Sequence, residues 1–274
     1  MNIAIQGYPG SFHHEAVQQY FGKTARVTPC ANFRILVDRL SSDLTIDAGL
    51  MAIENSIAGS ILPNYSLLFN SDLRICGEVY LSIRQQLMVH KGVALSEIKE
   101  VHSHYMALLQ CSRYLDPQQW KQVATEDTAL SARNIKDQGL KHIAAIAGKT
   151  AAELYELDII AGDIQDQANN YTRFLILKRE ATLVPDADKA SLSFRLDHET
   201  GSLAKILNII AAGGLNISKL QSYPVAGTAF QYYFIVDLEF DQMIQLEEVL
   251  TALKTHTHTL TIKGIYNKSI WKLQ

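Results

Sequence analysis

The strongest constraint on this chain is the order in which short apolar strands, turns and helices recur along its first 180 residues. Residues 1–5 form an apolar strand that runs into the turn Gly7-Tyr8-Pro9-Gly10, after which Ser11 caps a helix over 12–21. Residues 33–40 carry helical apolar spacing, 48–53 form a buried-strand run, and 59–69 read as a further helix. Within 77–89, Val79, Leu81, Ile83, Leu87 and Val89 alternate with polar residues as in a strand, and 106–114 is helical. Alternation of this kind predicts an α/β fold with mainly parallel sheet.

The pattern changes near residue 180, where Lys178-Arg179-Glu180 and Pro185-Asp186-Ala187-Asp188 form a polar, turn-prone linker. Beyond it the order is strand 190–196, helix 202–212, strands 216–222 and 230–240, helix 243–255 and strand 259–265. This βαββαβ order over about 80 residues is the ferredoxin-like unit. Two units also suit a chain of 274 residues, at roughly 100–200 residues per domain.

Composition removes several function classes. The 47% hydrophobic and 19% charged fractions belong to an ordinary globular protein. Net charge is −3 and no basic run is interleaved with aromatics, so nucleic acid is not an expected partner. Cys30, Cys76 and Cys111 are scattered and odd in number, which fits a reducing compartment rather than a disulfide framework or a thiolate metal site. The nine histidines lack zinc-ligand spacing, and neither an export signal nor a membrane span is visible. The expectation is a cytoplasmic protein with no metal and no membrane association.

Three polar clusters sit at the ends of apolar strands. Asn169-Asn170-Tyr171-Thr172-Arg173-Phe174 places an Arg beside a hydroxyl and an amide, a donor set suited to a carboxylate. Its plainer reading is an Asn turn with a solvated Arg at a strand edge. Glu54-Asn55-Ser56 through Gly59 would put a helix N-terminus where it could meet an anion, or would simply cap that helix. In Ser103-His104 with Gln110-Cys111, Ser103 and Gln110 share a helical face two turns apart if the helix begins at Ser103. His104 suits either a general base or a cap.

In order and spacing, these clusters resemble prephenate dehydratase. The matching segments are Gly7-Tyr8-Pro9-Gly10-Ser11-Phe12, Glu54-Asn55-Ser56 with Gly59, Ser103-His104 with Gln110-Cys111, Asp127-Thr128-Ala129, and Asn170-Tyr171-Thr172-Arg173-Phe174. The Thr-Arg-Phe motif is the most specific. The C-terminal unit resembles the ACT domain that gives this family phenylalanine feedback. There Gly201-Ser202-Leu203-Ala204 stands at a glycine-leucine-alanine motif and Gln221-Ser222-Tyr223-Pro224 at a Glu-Ser-Arg-Pro motif. Tyr105 and Met106 replace a common Pro-Gln, Asp127 replaces a frequent serine, and Gln221 and Tyr223 remove two charges from the effector motif.

The resemblance implies a cofactor-free lyase converting prephenate to phenylpyruvate with loss of water and carbon dioxide. It implies the monofunctional form, since no chorismate mutase helices precede Gly7. Thr172, Arg173, Asn55 and Gln110 become the expected catalytic residues, with Ser11, Glu54, Ser56, Ser103, Thr128 and Phe174 around the substrate. L-Phenylalanine would bind through Gly201, Ser202, Leu203, Ala204, Gln221, Ser222 and Pro224 in a homodimer or homotetramer. The implied fold is a two-lobed catalytic domain over 1–180, shaped like periplasmic solute-binding proteins, then an ACT domain over 190–268. Lobe one takes about 1–78 and 161–180, and lobe two about 79–160. Arogenate dehydratase and a non-catalytic amino-acid-binding regulator are the alternatives.

Overall fold

The computed structural model describes residues 1–181, 184–224 and 232–269. The chain divides into two compact units, one of Met1–Ile61 with Val79–Phe174, the other of Leu62–Glu78 with Leu175–Gln274.

The first unit begins β1 (Asn2–Gln6), α1 (Phe12–Phe21), β2 (Arg26–Cys30), α2 (Phe33–Ser42), β3 (Ala48–Asn55) and β4 (Gly59–Ser60). Next come α3 (Leu62–Phe69), which belongs to the second unit, and β5 (Arg74–Ser82), which crosses the division. The first unit resumes with β6 (Gln86–Val89), β7 (Glu100–His104), α4 (Tyr105–Gln110), α5 (Ser112–Leu115), β8 (Lys121–Thr125) and α6 (Thr128–Gln138). It closes with β9 (Ile143–Ala147), α7 (Lys149–Tyr155), β10 (Asp158–Ala161) and β11 (Tyr171–Lys178), the last again crossing the division.

Two sheets result, ordered β2-β1-β3-β11-β5 and β10-β6-β9-β7-β8. In the first, β1 pairs in parallel with β2 and β3, and residues 48–53 of β3 are all buried, as expected of a continuous apolar run covered on both faces. Pro29 fits β2 because that strand lies at the sheet edge. Ser11 and Asn32 cap α1 and α2, accepting from His14 N and Ile35 N. The second sheet is mixed: β7 runs parallel to β8 and β9, while β6 is antiparallel to β9 and β10.

Four expectations change. The sheets are mixed rather than mainly parallel. The helix expected from residue 59 starts at Leu62, because Asn55 Oδ1 accepts from Ile57 N and Ala58 N and this side-chain turn folds Gly59 and Ser60 back onto β3. The apolar run 77–89 is two strands in two sheets, parted where Ile83 N donates to Asn170 O and Gln85 N to the Gln165 side chain. The helix over 106–114 breaks at Cys111, whose φ of −115° and ψ of 18° leave the α-helical region.

The second unit holds β12 (Lys189–Arg195), α8 (Ser202–Ala212), β13 (Asn216–Pro224), β14 (Tyr232–Glu239), α9 (Met243–Lys254) and β15 (Thr259–Tyr266). The antiparallel order β13-β14-β12-β15 is that of a ferredoxin-like unit. Leu192, Phe194, Val236 and Leu238 meet Ile206, Ile210, Leu246 and Leu253 of the helices in a fully buried core. Phe230, where a strand start was expected, lies outside the described residues.

Candidate active site

A cleft of about 250 Å³ opens in the first unit, lined by Ser11 at the start of α1, Asn55 at the end of β3, Gln110 at the end of α4, Thr128 at the start of α6, and Thr172 and Phe174 on β11. These six expected site residues converge from distant parts of the chain. Thr172 and Phe174 share a strand face, so Arg173 points to the opposite face, where its side chain is buried. Three more expected residues lie off the cleft wall. Glu54 pairs with Ser60 across the β3–β4 turn. Ser56 accepts from Tyr171 N (2.9 Å) and donates to Asn169 O (3.3 Å). Ser103 sits on β7 rather than on a helix with Gln110, fully buried and donating to Ile146 O (2.6 Å).

A chain of amides sets the polarity of the cleft. Because Asn55 Oδ1 accepts two backbone N–H groups, its Nδ2 must be the group that faces Asn170 Oδ1 (2.7 Å) and Thr172 Oγ1 (3.0 Å). With its oxygen so engaged, Asn170 donates Nδ2 to Gln110 Oε1 (3.3 Å). Two donors then have no role inside the chain of bonds, the Thr172 hydroxyl proton and the Gln110 Nε2 group, and both residues are on the cleft wall. Asn170, 1% exposed, is the link that sequence reasoning quoted within a motif but gave no role.

His13, His104 and Asp127 are the titratable groups on this wall. Burial pushes the His13 imidazole down to about 4. Burial also raises the Asp127 carboxyl above its ordinary value, against the hydrogen bonds it accepts from the first-turn N–H groups of α6. Asp127 lies close under Gly7, where a Cβ would come within 2.8 Å of Oδ2, and Gly7 at φ 87° is in the region that favours glycine. His104 caps α4 through Nδ1 (3.3 Å from Met106 N). Burial raises the neighbouring Cys111 thiol to about 12, which makes it inert. No group of three or more metal-ligating side chains occurs among the described residues.

In the second unit, Gly201 (φ 89°) caps α8, whose first turn holds Ser202, Leu203 and Ala204. Ser202 and Leu203 line a cavity of about 240 Å³ with Arg195, Asp197 and His258, the last two joined at 2.7 Å. Of the other expected effector residues, Gln221 and Ser222 lie on β13, where Gln221 Nε2 donates to Ser222 O. Pro224 lines a separate cavity with Tyr65, Phe69, Tyr223 and Tyr233.

Residues 3–182 match the family model described as prephenate dehydratase. Arogenate dehydratase 2 of Petunia hybrida is 35% identical over 97% of this chain and 71% of its own length. A solved structure described as GqqA, a novel type of quorum-quenching acylase, has a TM-score of 0.86 at 29% identity, covering 98% of both chains. The structure of Arthrobacter aurescens prephenate dehydratase in complex with L-Phe also has a TM-score of 0.86, at 27% identity over 97% of this chain and 90% of that one. Family model, long alignment and shared fold agree, and the chain belongs to the prephenate dehydratase family.

Proposed function

We propose that this chain converts prephenate to phenylpyruvate in L-phenylalanine biosynthesis, and that the directed amide chain in its cleft is what makes it a catalyst. The reaction breaks the C4–O bond and the bond from C1 to the ring carboxylate. The pair from the second bond completes the aromatic ring, and one proton leaves with the hydroxyl as water. Asn55 occupies a lone pair of Thr172, so the Thr172 proton is the one available to the departing hydroxyl, while Gln110 offers a second donor. Thr172 is too weak an acid to release its proton unaided, so it acts as donor while His104 or Asp127 on the same wall supplies the proton.

The charge pattern supports this reading. Among the described residues, no Lys or Arg lines the cleft. A cation on the ring carboxylate would hold the ground state and slow decarboxylation. The N-termini of α1 and α6 reach the cleft at Phe12 and Thr128 and favour the carboxylate that remains. The likeness to an acylase does not displace this reading, because among the described residues no cleft histidine hydrogen-bonds a hydroxyl there, as an activated nucleophile requires.

The second unit is the regulatory part of the proposal, an ACT domain that binds L-phenylalanine and inhibits the enzyme. Its support is the ferredoxin-like order, the Gly201–Ala204 turn, and the L-Phe complex of the Arthrobacter relative. The sheet edge at β13, whose residues alternate between exposed and half-buried, suits pairing in a homodimer or homotetramer. Arogenate is the second substrate to consider, since the Petunia relative is an arogenate dehydratase. The test is product formation from prephenate and from arogenate at equal concentration, with and without L-phenylalanine. Turnover of neither substrate sinks the proposal, and turnover unaffected by L-phenylalanine removes its regulatory half.

A further inference from the structure

His13 stands in the second position of α1, on the wall of the cleft, yet among the described residues nothing gives it a hydrogen bond. Its contacts are with rings: Phe33 at 5.5 Å and, nearly perpendicular, Phe174 at 5.0 Å. The Nε2 atom is closed off from solvent and has no partner. A sequestered N–H without an acceptor is costlier than a sequestered lone pair, so the ring proton belongs on Nδ1. Nδ1 is not among the sequestered atoms and, among the described residues, bonds to nothing, which leaves its N–H to a ligand in the cleft. Burial keeps the ring neutral at physiological pH, so it is a dipolar donor rather than a cation. The same first turn of α1 favours negative charge, and the cleft offers no Lys or Arg for it among the described residues.

We propose that His13 is a substrate-binding residue, its neutral imidazole donating Nδ1–H to an oxygen of the substrate's side-chain carboxylate, the one kept in the product. The inference rests on the cleft being the active site of a dehydratase. A purely structural ring, held between Phe33 and Phe174, would be replaced without harm by phenylalanine.

The first experiment is steady-state kinetics of His13→Phe with prephenate, beside its thermal unfolding midpoint. The expected result is a KM raised ~10-fold or more, a smaller change in kcat, and a midpoint equal to or above that of the wild type. An unchanged KM in a folded variant overturns the proposal. The second experiment follows the His13 ring nitrogens of the wild-type protein by 15N NMR while phenylpyruvate is added. A proton on Nδ1 and a shift of that signal on saturation support the donor role. A proton on Nε2, or no shift at saturation, overturns it. This arm does not depend on turnover, so an inactive wild type removes the dehydratase reading while the fate of His13 is still decided by its own signal.

Discussion

Both units bury polar side chains, and they do so to opposite ends. In the first, the Gln110–Asn170–Asn55–Thr172 chain is neutral and open: every inner bond is made, and the two outer donors are left for something else to accept. In the second, the cluster is charged and closed. Lys189 Nζ lies 3.0 Å from Glu78 and 3.6 Å from Glu239, with the Lys189 and Glu78 side chains almost fully buried. Beside it Ser191 donates to Asp237 (2.6 Å) and meets the Tyr266 hydroxyl (2.7 Å). In a closed cluster each buried charge meets a partner, in a medium where unpaired charge is costly. An open one confers recognition only if it stays short of partners. Burial alone therefore does not mark a site; the unused valence at the end of a network does.

The largest effect should fall on the closed cluster. Lys189→Met removes the ammonium beside the buried Glu78 and should lower stability by about 3–5 kcal/mol, whereas Lys189→Met with Glu78→Leu should regain most of that loss. Denaturant unfolding of both variants reads the difference, and equal losses in both would mean the cluster is not closed on itself. Thr172→Ala at the end of the open chain should do the reverse, cutting kcat ~10²- to 10³-fold while leaving the unfolding midpoint nearly in place. A Thr172→Ala protein that turns over normally but melts early would erase the distinction between the two networks.

Much of this contrast was beyond the reach of the sequence, for physical reasons. Periodicity reports which face of an element is buried, and it gave α1, α8 and the ferredoxin-like order closely. It does not report which sheet buries it, so the apolar run through Val79 and Val89 read as one strand although it passes between two sheets. The motif match assembled Asn55, Gln110 and Thr172, because a family pattern stores the outcome of folding. It gave no means of separating them from Ser103, which turns into the sheet, or from Arg173, whose strand neighbours face the other way. Asn170 looked like a turn residue beside Asn169. Its partners are 115 and 60 positions away in the chain, and only tertiary structure brings them into reach.

Asn170→Asp tests the direction of the open chain with almost no change in shape. Both carboxylate oxygens accept, so Asn55 keeps its partner, but Gln110 must turn its amide to donate inward and so loses its donor to the cleft. The expected result is a KM raised ~10-fold with modest loss of stability, relieved at lower pH as the buried Asp takes a proton and donates to Gln110 again. A loss that does not vary with pH would show that Asn170 serves packing rather than polarity.

The smallest effect on stability should come from Asp127→Asn. Burial holds the Asp127 carboxyl above its ordinary value of 3.8, so the folded chain binds this proton more tightly than the unfolded chain does. Folding is then favoured below 3.8, and that contribution is lost as pH rises through the folded value. Asparagine caps a helix as well as aspartate and carries no charge to desolvate, so the α6 cap at Leu130 N should survive the change. The variant should therefore be slightly more stable than the wild type at neutral pH and indistinguishable from it below pH 3.8, read as unfolding midpoints across the range. A variant less stable at neutral pH would mean that the charge itself is needed at the N-terminus of α6. The carboxylate would then belong with the closed, self-satisfied clusters and not with the open wall of the cleft.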